Sequence, residues 1–505
     1  MPFLLCQRLF FHNYFIEFNT YLCYNCLGKV KRYSMNDDIE ILDIFDNNKK
    51  ITTEKSSVSK IEKEDKKEVE KMEPVKKKRS KRRVKKNAWQ LVFCIVSAIF
   101  LLSCVGIYGY RFIKYYGLYH PKAENGKSIV LLANDIIGNT EYATGDEDGL
   151  FNQGGNYYYK GNVTNNYLKY NNMLWRIVRI NENKSLDIIL DDYISILPWN
   201  NSVKEFSESE IYEYLNKDFL TSLDKAKLTT TSFCDDKLDD IKAKKGKCDN
   251  TNSDNYVKLL DVANFLNTIN KGKSYLVDSN EIFWLSNYGS EKIWHTNGVN
   301  VSQSEANIFN EVKPMVRLSS TTAYSKGDGT INNPYVVDKE DKLTVGSKVV
   351  LGNDNWIVYE NSDTVKLMSE KVLDKQIDFD KEKLTYKDSS LMEYLNSTYL
   401  DSLSYKDMIV DNTWYIGKYT DGIKDIKKDA VKAKVGIPNI LDIKFNSEVK
   451  GYFTSTINED HIYVYENPLR SSRITTYRNI RPCITISKDT ANKLKYVDGV
   501  FKVGE

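Results

Sequence analysis

EYLNKDFLTSL at Glu213–Leu223 and EYLNSTYLDSL at Glu393–Leu403 are one stretch written twice, 180 residues apart and agreeing at seven of eleven places. In the first copy Ser207-Glu-Ser-Glu210 has capping-box spacing. Behind it Ile211, Leu215, Phe219 and Leu223 recur every four residues, so one face of a helix is apolar. In the second, Asp388 or Ser389 caps a helix carrying Leu391, Leu395 and Tyr399.

The surroundings of both helices keep step. Upstream of the first, Tyr167–Tyr170, Met173–Ile180 and Leu186–Leu190 are β-rich runs split by Asn171-Asn172 and by Asn181–Ser185, the pattern of an antiparallel meander. Upstream of the second, Val349–Leu351, Trp356–Glu360 and Thr364–Met368 repeat that order, with Gly352–Asn355 as the first turn. Trp175 precedes Asn216 by 41 residues and Trp356 precedes Asn396 by 40. Related strands close the copies, Val312–Leu318 with Lys-Pro and Ile480–Ile486 with Arg-Pro. Three landmarks in one order exceed a coincidence of common helix residues and imply internal duplication. Gly327-Asp-Gly-Thr-Ile-Asn-Asn-Pro-Tyr-Val-Val337 makes a turn and an extended joint, so the expected α+β domains are 125–338 and 339–505. Asp328, Asp338 and Asp341 lack calcium-loop spacing and read as a solvated linker.

The Tyr-rich lead-in from Tyr157, the Tyr-Leu-Asn helix, Phe233-Cys-Asp-Asp236, the closing Lys/Arg-Pro strand and the Gly-Asp-Gly-Thr joint together resemble a known family. It is an uncharacterised domain-of-unknown-function family of Gram-positive bacterial surface proteins, often in tandem. The likeness covers about residues 125 to 490 and is weaker in the second copy, which lacks the Tyr-rich lead-in and the cysteine pair. The family is distantly similar to C-type-lectin-like and sulfatase-modifying-factor domains. That resemblance implies twisted antiparallel strands with one or two helices per domain. It carries over no catalytic or binding residue.

Ala88–Tyr110 is a different kind of segment: 23 residues with no ionisable side chain except two terminal-turn tyrosines. As a helix it reaches roughly 34 Å, enough to cross a hydrocarbon core of about 30 Å. A buried core helix seldom needs so long an apolar run, and a cleaved signal would have a shorter one ending in a small-residue site. Nine cations crowd residues 76–86 just before the span. The positive-inside rule therefore keeps the N-terminus in the cytoplasm and puts everything after residue 110 outside. Anionic lipid headgroups are the expected partner of that flank, the bilayer that of residues 88–110, and no nucleic acid is expected. Residues 1–34 show no sustained period and precede Met35, which opens a more ordinary cytoplasmic start; they read as a mis-assigned beginning or as disorder. Residues 35–87 form a charged cytoplasmic tail and residues 111–124 a juxtamembrane linker.

Chemistry-bearing residues are few. Cys234 and Cys248 lie on the oxidising side, and a structural disulfide is favoured over a redox site because their spacing is not Cys-x-x-Cys. Cys483 stands alone, and His120, His295 and His461 match no metal-ligand spacing. Gly126-Lys-Ser128 and Gly272-Lys-Ser274 lack the earlier glycine of a phosphate loop, and the pairs Asp191-Asp192 and Asp235-Asp236 read as acidic loops. No cofactor or metal is implied. Trp284, Tyr288 and Trp294 fall within eleven residues and are the candidate aromatic platform for sugar rings. The competing reading puts Trp175, Trp284 and Trp356 in the cores. What the copies share is a fold and no catalytic constellation. The expected function is a membrane-anchored, non-enzymatic extracellular binding or adhesion module for a glycan, wall polymer or protein. A cell-envelope enzyme and a structural or assembly subunit are the alternatives.

Overall fold

The computed structural model describes residues 129–504 apart from 245, 246, 279, 280, 421 and 447, together with Ser103 and Ile107. The expected span at 88–110 is otherwise outside these residues, as are the cytoplasmic tail and the juxtamembrane linker. Among the described residues no helix is long and apolar enough to cross a membrane. The described chain is mixed α+β, with many strands and short helices.

Five strands make the centre of a nine-stranded sheet: β1 Tyr167–Tyr170, β2 Met173–Ile180, β3 Leu186–Leu190, β4 Val257–Lys258 and β5 Met315–Leu318. Asn171 and Asn172 both take the left-handed backbone (φ 55° and 53°) that a two-residue hairpin between twisted strands requires. Their spatial order is β1-β2-β3-β5-β4, and every pairing is antiparallel. The second half builds the same arrangement from β6 Lys348–Leu351, β7 Asp354–Asn361, β8 Thr364–Ser369, β9 Val435–Gly436 and β10 Cys483–Ser487. Here the order is β6-β7-β8-β10-β9, again antiparallel throughout. In both halves a later segment returns to pair in parallel with the first strand. Tyr335–Val336 lies along β1 and Val500–Val503 along β6.

The residues shared by the copies do the same work in each. Ser209 caps α1 Glu210–Glu213 by accepting the Tyr212 amide, and Ser389 caps α2 Ser390–Tyr394 by accepting that of Met392. The first cap is thus Ser209 and not the Ser207 of the capping-box spacing. Each helix then widens into a π turn, Tyr214–Asp218 and Leu395–Tyr399. The motif asparagine sits in that turn. Asn216 donates to the Val257 carbonyl (3.0 Å) and accepts the Val257 amide (3.3 Å). Asn396 does the same to Val435, at 2.9 Å both ways. A carboxamide paired with both backbone groups of one residue substitutes for a neighbouring strand, so the motif fastens helix to sheet. Trp175 and Trp356 are buried at the centre of the sheets.

The closing strands are shorter than the apolar runs that encode them. Phe309–Val312 pairs with Ser195–Pro198, while β5 starts only after Lys313-Pro314. β10 likewise starts after Arg481-Pro482. Proline has no amide to donate and interrupts each ladder, but its carbonyl still accepts, from Leu190 in one copy (3.0 Å) and Ser369 in the other (2.9 Å). The cation before each proline is buried, Lys313 reaching the Asp191 carbonyl and Arg481 those of Ser369 and Phe445.

One hydrophobic cluster runs through both sheets. Across the seam between the copies, the Lys444 amide donates to the Ile194 carbonyl (2.9 Å) and Ser195 Oγ to that of Ile440 (2.5 Å). Glu210 on α1 accepts the Ile423 amide and the Tyr419 hydroxyl at 3.2 and 3.3 Å. Phe309 meets Tyr419 and Tyr463 with centroids 5.5 and 5.4 Å apart. Asp338, read from sequence as a solvated linker residue, is instead paired with Lys227 and accepts the Asn171 amide, which ties the joint down onto the first sheet.

Candidate functional site

Trp284 and Tyr288, two of the three aromatic candidates, are core residues. Trp284 is fully buried, gives its indole N–H to the Leu197 carbonyl (2.9 Å), and meets Trp199 and His295 edge-on. Tyr288, at the other end of the same strand, is buried with its hydroxyl 3.3 Å from Glu205. Trp294 is half-buried in the adjacent strand, with Lys242 Nζ 5.5 Å from its ring centre. The three rings therefore form no open platform. Trp284 fills the core for the reason tryptophans usually do, its area and its single satisfiable donor.

Cys234 and Cys248 are joined by a disulfide with Cα atoms 5.8 Å apart. Asp236 comes within 4.8 Å of both sulfurs. Sulfurs bonded to each other are not thiolate ligands, and Asp236 accepts the Asp249 amide (2.7 Å), so this group staples the loop. Cys483 is buried, and burial pushes its thiol up, away from the reactive thiolate. His295 is buried and held neutral by desolvation, its Nδ1 2.7 Å from the Thr296 carbonyl. Burial raises Asp191 and Asp235, the former opposed by Arg176 at 3.6 Å.

Of the cavities with mainly polar walls, two are also lined by cationic side chains. One, of about 400 Å³, lies over β2. Its Arg176 is stacked on Tyr167 (3.7 Å) and tied to Asn166 (2.8 Å) and to the Val163 carbonyl (2.6 Å), while its Lys313 is ion-paired with Glu281. Those cations are spent on the fold.

The other cavity, about 290 Å³, lies on the seam. From the first copy its wall is the π turn and the end of the duplicated helix, Tyr214 to Ser222. From the second come Tyr359 and Glu360 of β7, Lys366 of β8, the Thr413-Trp414-Tyr415 strand, and Asn439 to Ile443. π turns are often found at functional sites, because the extra residue re-aims side chains that a regular helix would direct elsewhere. Here it carries Tyr214, whose ring is 1% exposed and whose hydroxyl has no hydrogen-bond partner. Asp442 accepts the Asn439 amide on one carboxylate oxygen (2.8 Å) and makes no ion pair among the described residues. Burial raises its pKa, with Lys444 and Lys366 pulling the other way. Lys444, behind the wall, is itself lowered to about 8 by burial. Trp414 is buried with its N–H on the Ala433 carbonyl (2.9 Å), which leaves only ring surface to offer. The duplicated stretch at Glu213–Leu223 supplies the first-copy wall, but no motif joins it to the second-copy residues some 200 positions away.

No protein-family model, curated protein or solved structure matches the chain. The functional reading therefore rests on this site's chemistry.

Proposed function

We propose that the chain is a single-pass, membrane-anchored protein of the bacterial cell surface, whose two copies outside the membrane bind a glycan or wall polymer at their seam without chemical turnover. The seam cavity carries this reading. Both copies build it, and it holds an orphan hydroxyl, a carboxyl outside any ion pair and aromatic surface, the combination expected of a small, specific polar site. Three of the repeated pairs, Asn216 and Asn396, Ser209 and Ser389, Trp175 and Trp356, hold the fold, whereas the repeated Tyr214 keeps an unpartnered hydroxyl. The first copy's wall comes from the duplicated stretch itself, Tyr214 to Ser222, and the second copy's from its strands and the Asn439–Ile443 segment.

The test is a screen of the full-length chain, solubilised in detergent, against purified wall polymers and glycans. Saturable binding is expected, kept in Trp294→Ala and abolished in Thr413→Trp, where an exposed wall residue becomes a bulky plug. Binding lost in Trp294→Ala and kept in Thr413→Trp would move the site away from the seam. Protease added to intact cells should degrade residues after 110 and spare the preceding tail.

A further inference from the structure

We propose that the seam cavity takes one neutral, hydroxyl-bearing sugar ring, with Tyr214 donating to a ligand oxygen, Asp442 accepting from a ligand hydroxyl or amide, and Trp414 and Tyr415 packing on the ring's apolar face. This rests on the binding reading above and narrows it to a ligand class.

Charge bookkeeping on the wall excludes an anion. Each lysine there has its own carboxylate: Lys217 with Glu213 (3.0 Å), Lys427 with Asp218 (2.6 Å) and Lys366 with Glu360 (2.7 Å). Lys444, behind the wall, is buried and donates to the Asn439 carbonyl (2.6 Å), so no lysine lining the cavity is free of a carboxylate to hold a phosphate by charge-assisted bonds. The unsatisfied groups on the wall are of another kind. Tyr214 has a buried hydroxyl with no partner, in a protein where such groups are nearly always bonded. Asp442 has one oxygen engaged by the Asn439 amide and the other open to a donor. A donor and an acceptor on opposite copies, with aromatic side chains in the same wall, match a molecule that has hydroxyls at its edge and C–H groups on its face. The volume of about 290 Å³ is at the small end of ligand sites, roughly 300–1,000 Å³, and fits a single ring. Trp414, its N–H already used, contributes surface and no competing polarity. Tyr415, 37% exposed, stands at the mouth, where the rest of a chain would leave.

Tyr214→Phe tests this cleanly. Its hydroxyl bonds nothing in the protein, so its removal should leave the melting temperature unchanged or higher. The experiment is isothermal titration calorimetry and saturation-transfer NMR on the full-length protein in detergent. The probes are N-acetylglucosamine and glucose, with inorganic phosphate as the charged control. Expected are binding of at least one sugar, none of phosphate, and affinity about three- to tenfold weaker in Tyr214→Phe and in Asp442→Asn, the value of one neutral hydrogen bond. Sugar affinity unchanged in both variants, or phosphate binding more tightly than either sugar, overturns the proposal. If wall polymer binds but neither sugar does and Tyr214→Phe changes nothing, the ligand class fails and the broader binding reading stands. If no polymer binds either, both fall.

Discussion

Glu311 is the most expensive ionisable group on the seam, and replacing it with glutamine should make the protein more stable at neutral pH. The residue is 2% exposed. One carboxyl oxygen takes the Asn467 amide from the other copy, and the second has no partner. Burial drives its pKa from 4.5 to about 8; Lys313 opposes the rise, and Glu281 and Asp192 add to it. The folded protein therefore holds a proton there that the unfolded chain releases above pH 4.5. The cost is absent below that pH, grows as pH climbs toward 8, and is constant beyond. At pH 7 it is on the order of 3 kcal/mol, at about 1.4 kcal/mol per pH unit. Glutamine copies the protonated acid, keeping the acceptor for Asn467 without the ionisation. Urea unfolding of wild type and Glu311→Gln across pH 4.5 to 8.5 should give curves that coincide at the acid end and separate by a few kcal/mol at the alkaline end. Parallel curves, with the same pH slope for both proteins, would refute the assignment of a buried neutral carboxyl.

Asp187 runs the opposite way. Burial alone would raise it, but Arg317, Arg179 and Lys258 outweigh that and hold it at about 2, so its contribution is present above pH 3.8 and is lost as pH falls toward 2. Asp187→Asn should remove that acid limb and cost about 2–3 kcal/mol at pH 7, the value of its lowered pKa at about 1.4 kcal/mol per pH unit, by leaving two partly buried guanidinium groups unbalanced, measured by the same unfolding series. Asn216→Ala and Asn396→Ala should each cost about 2–3 kcal/mol, since each strands both backbone groups of a β residue, and a melting temperature shifted by under 1 °C would contradict that role. Cys234→Ser should cost about 3 kcal/mol, the entropy of a loop with residue separation 14, and should abolish the effect of reductant on the melting temperature.

The framework of the fold was readable because its signals are local. Asn171-Asn172 marked a hairpin, alternating apolar runs marked β1 to β3 and β6 to β8, and the repeated Tyr-Leu-Asn segment aligned the halves. Where reading stopped at Val312–Leu318, the reason was also local: apolar character continues through Lys313-Pro314, but the ladder cannot. The cap fell at Ser209 because position relative to the first helical turn outweighed the Ser-x-x-Glu spacing. The aromatic cluster misled for a different reason. Every residue of Trp284–Tyr288 is buried, so both faces of that strand are covered, and spacing in the chain says nothing about which faces of a sheet meet solvent. The seam cavity was only half legible: Tyr214 sits in the repeated Tyr-Leu-Asn segment, but nothing local links it to Asp442, more than 200 positions on.

The returning strand has a consequence for the history of the chain. In the first unit the entering chain at Val130–Leu131 lies against Ala323–Tyr324, close to the departing Tyr335–Val336 strand that Lys326 bridges, and in the second Val500–Val503 closes beside the first strand, β6. A unit with adjacent entrance and exit can be spliced into a gene, copied or removed without rethreading what flanks it. Relatives with one, two or many such units in a row are accessible by recombination alone, each addition requiring only a short joint and a new partner face for its neighbour.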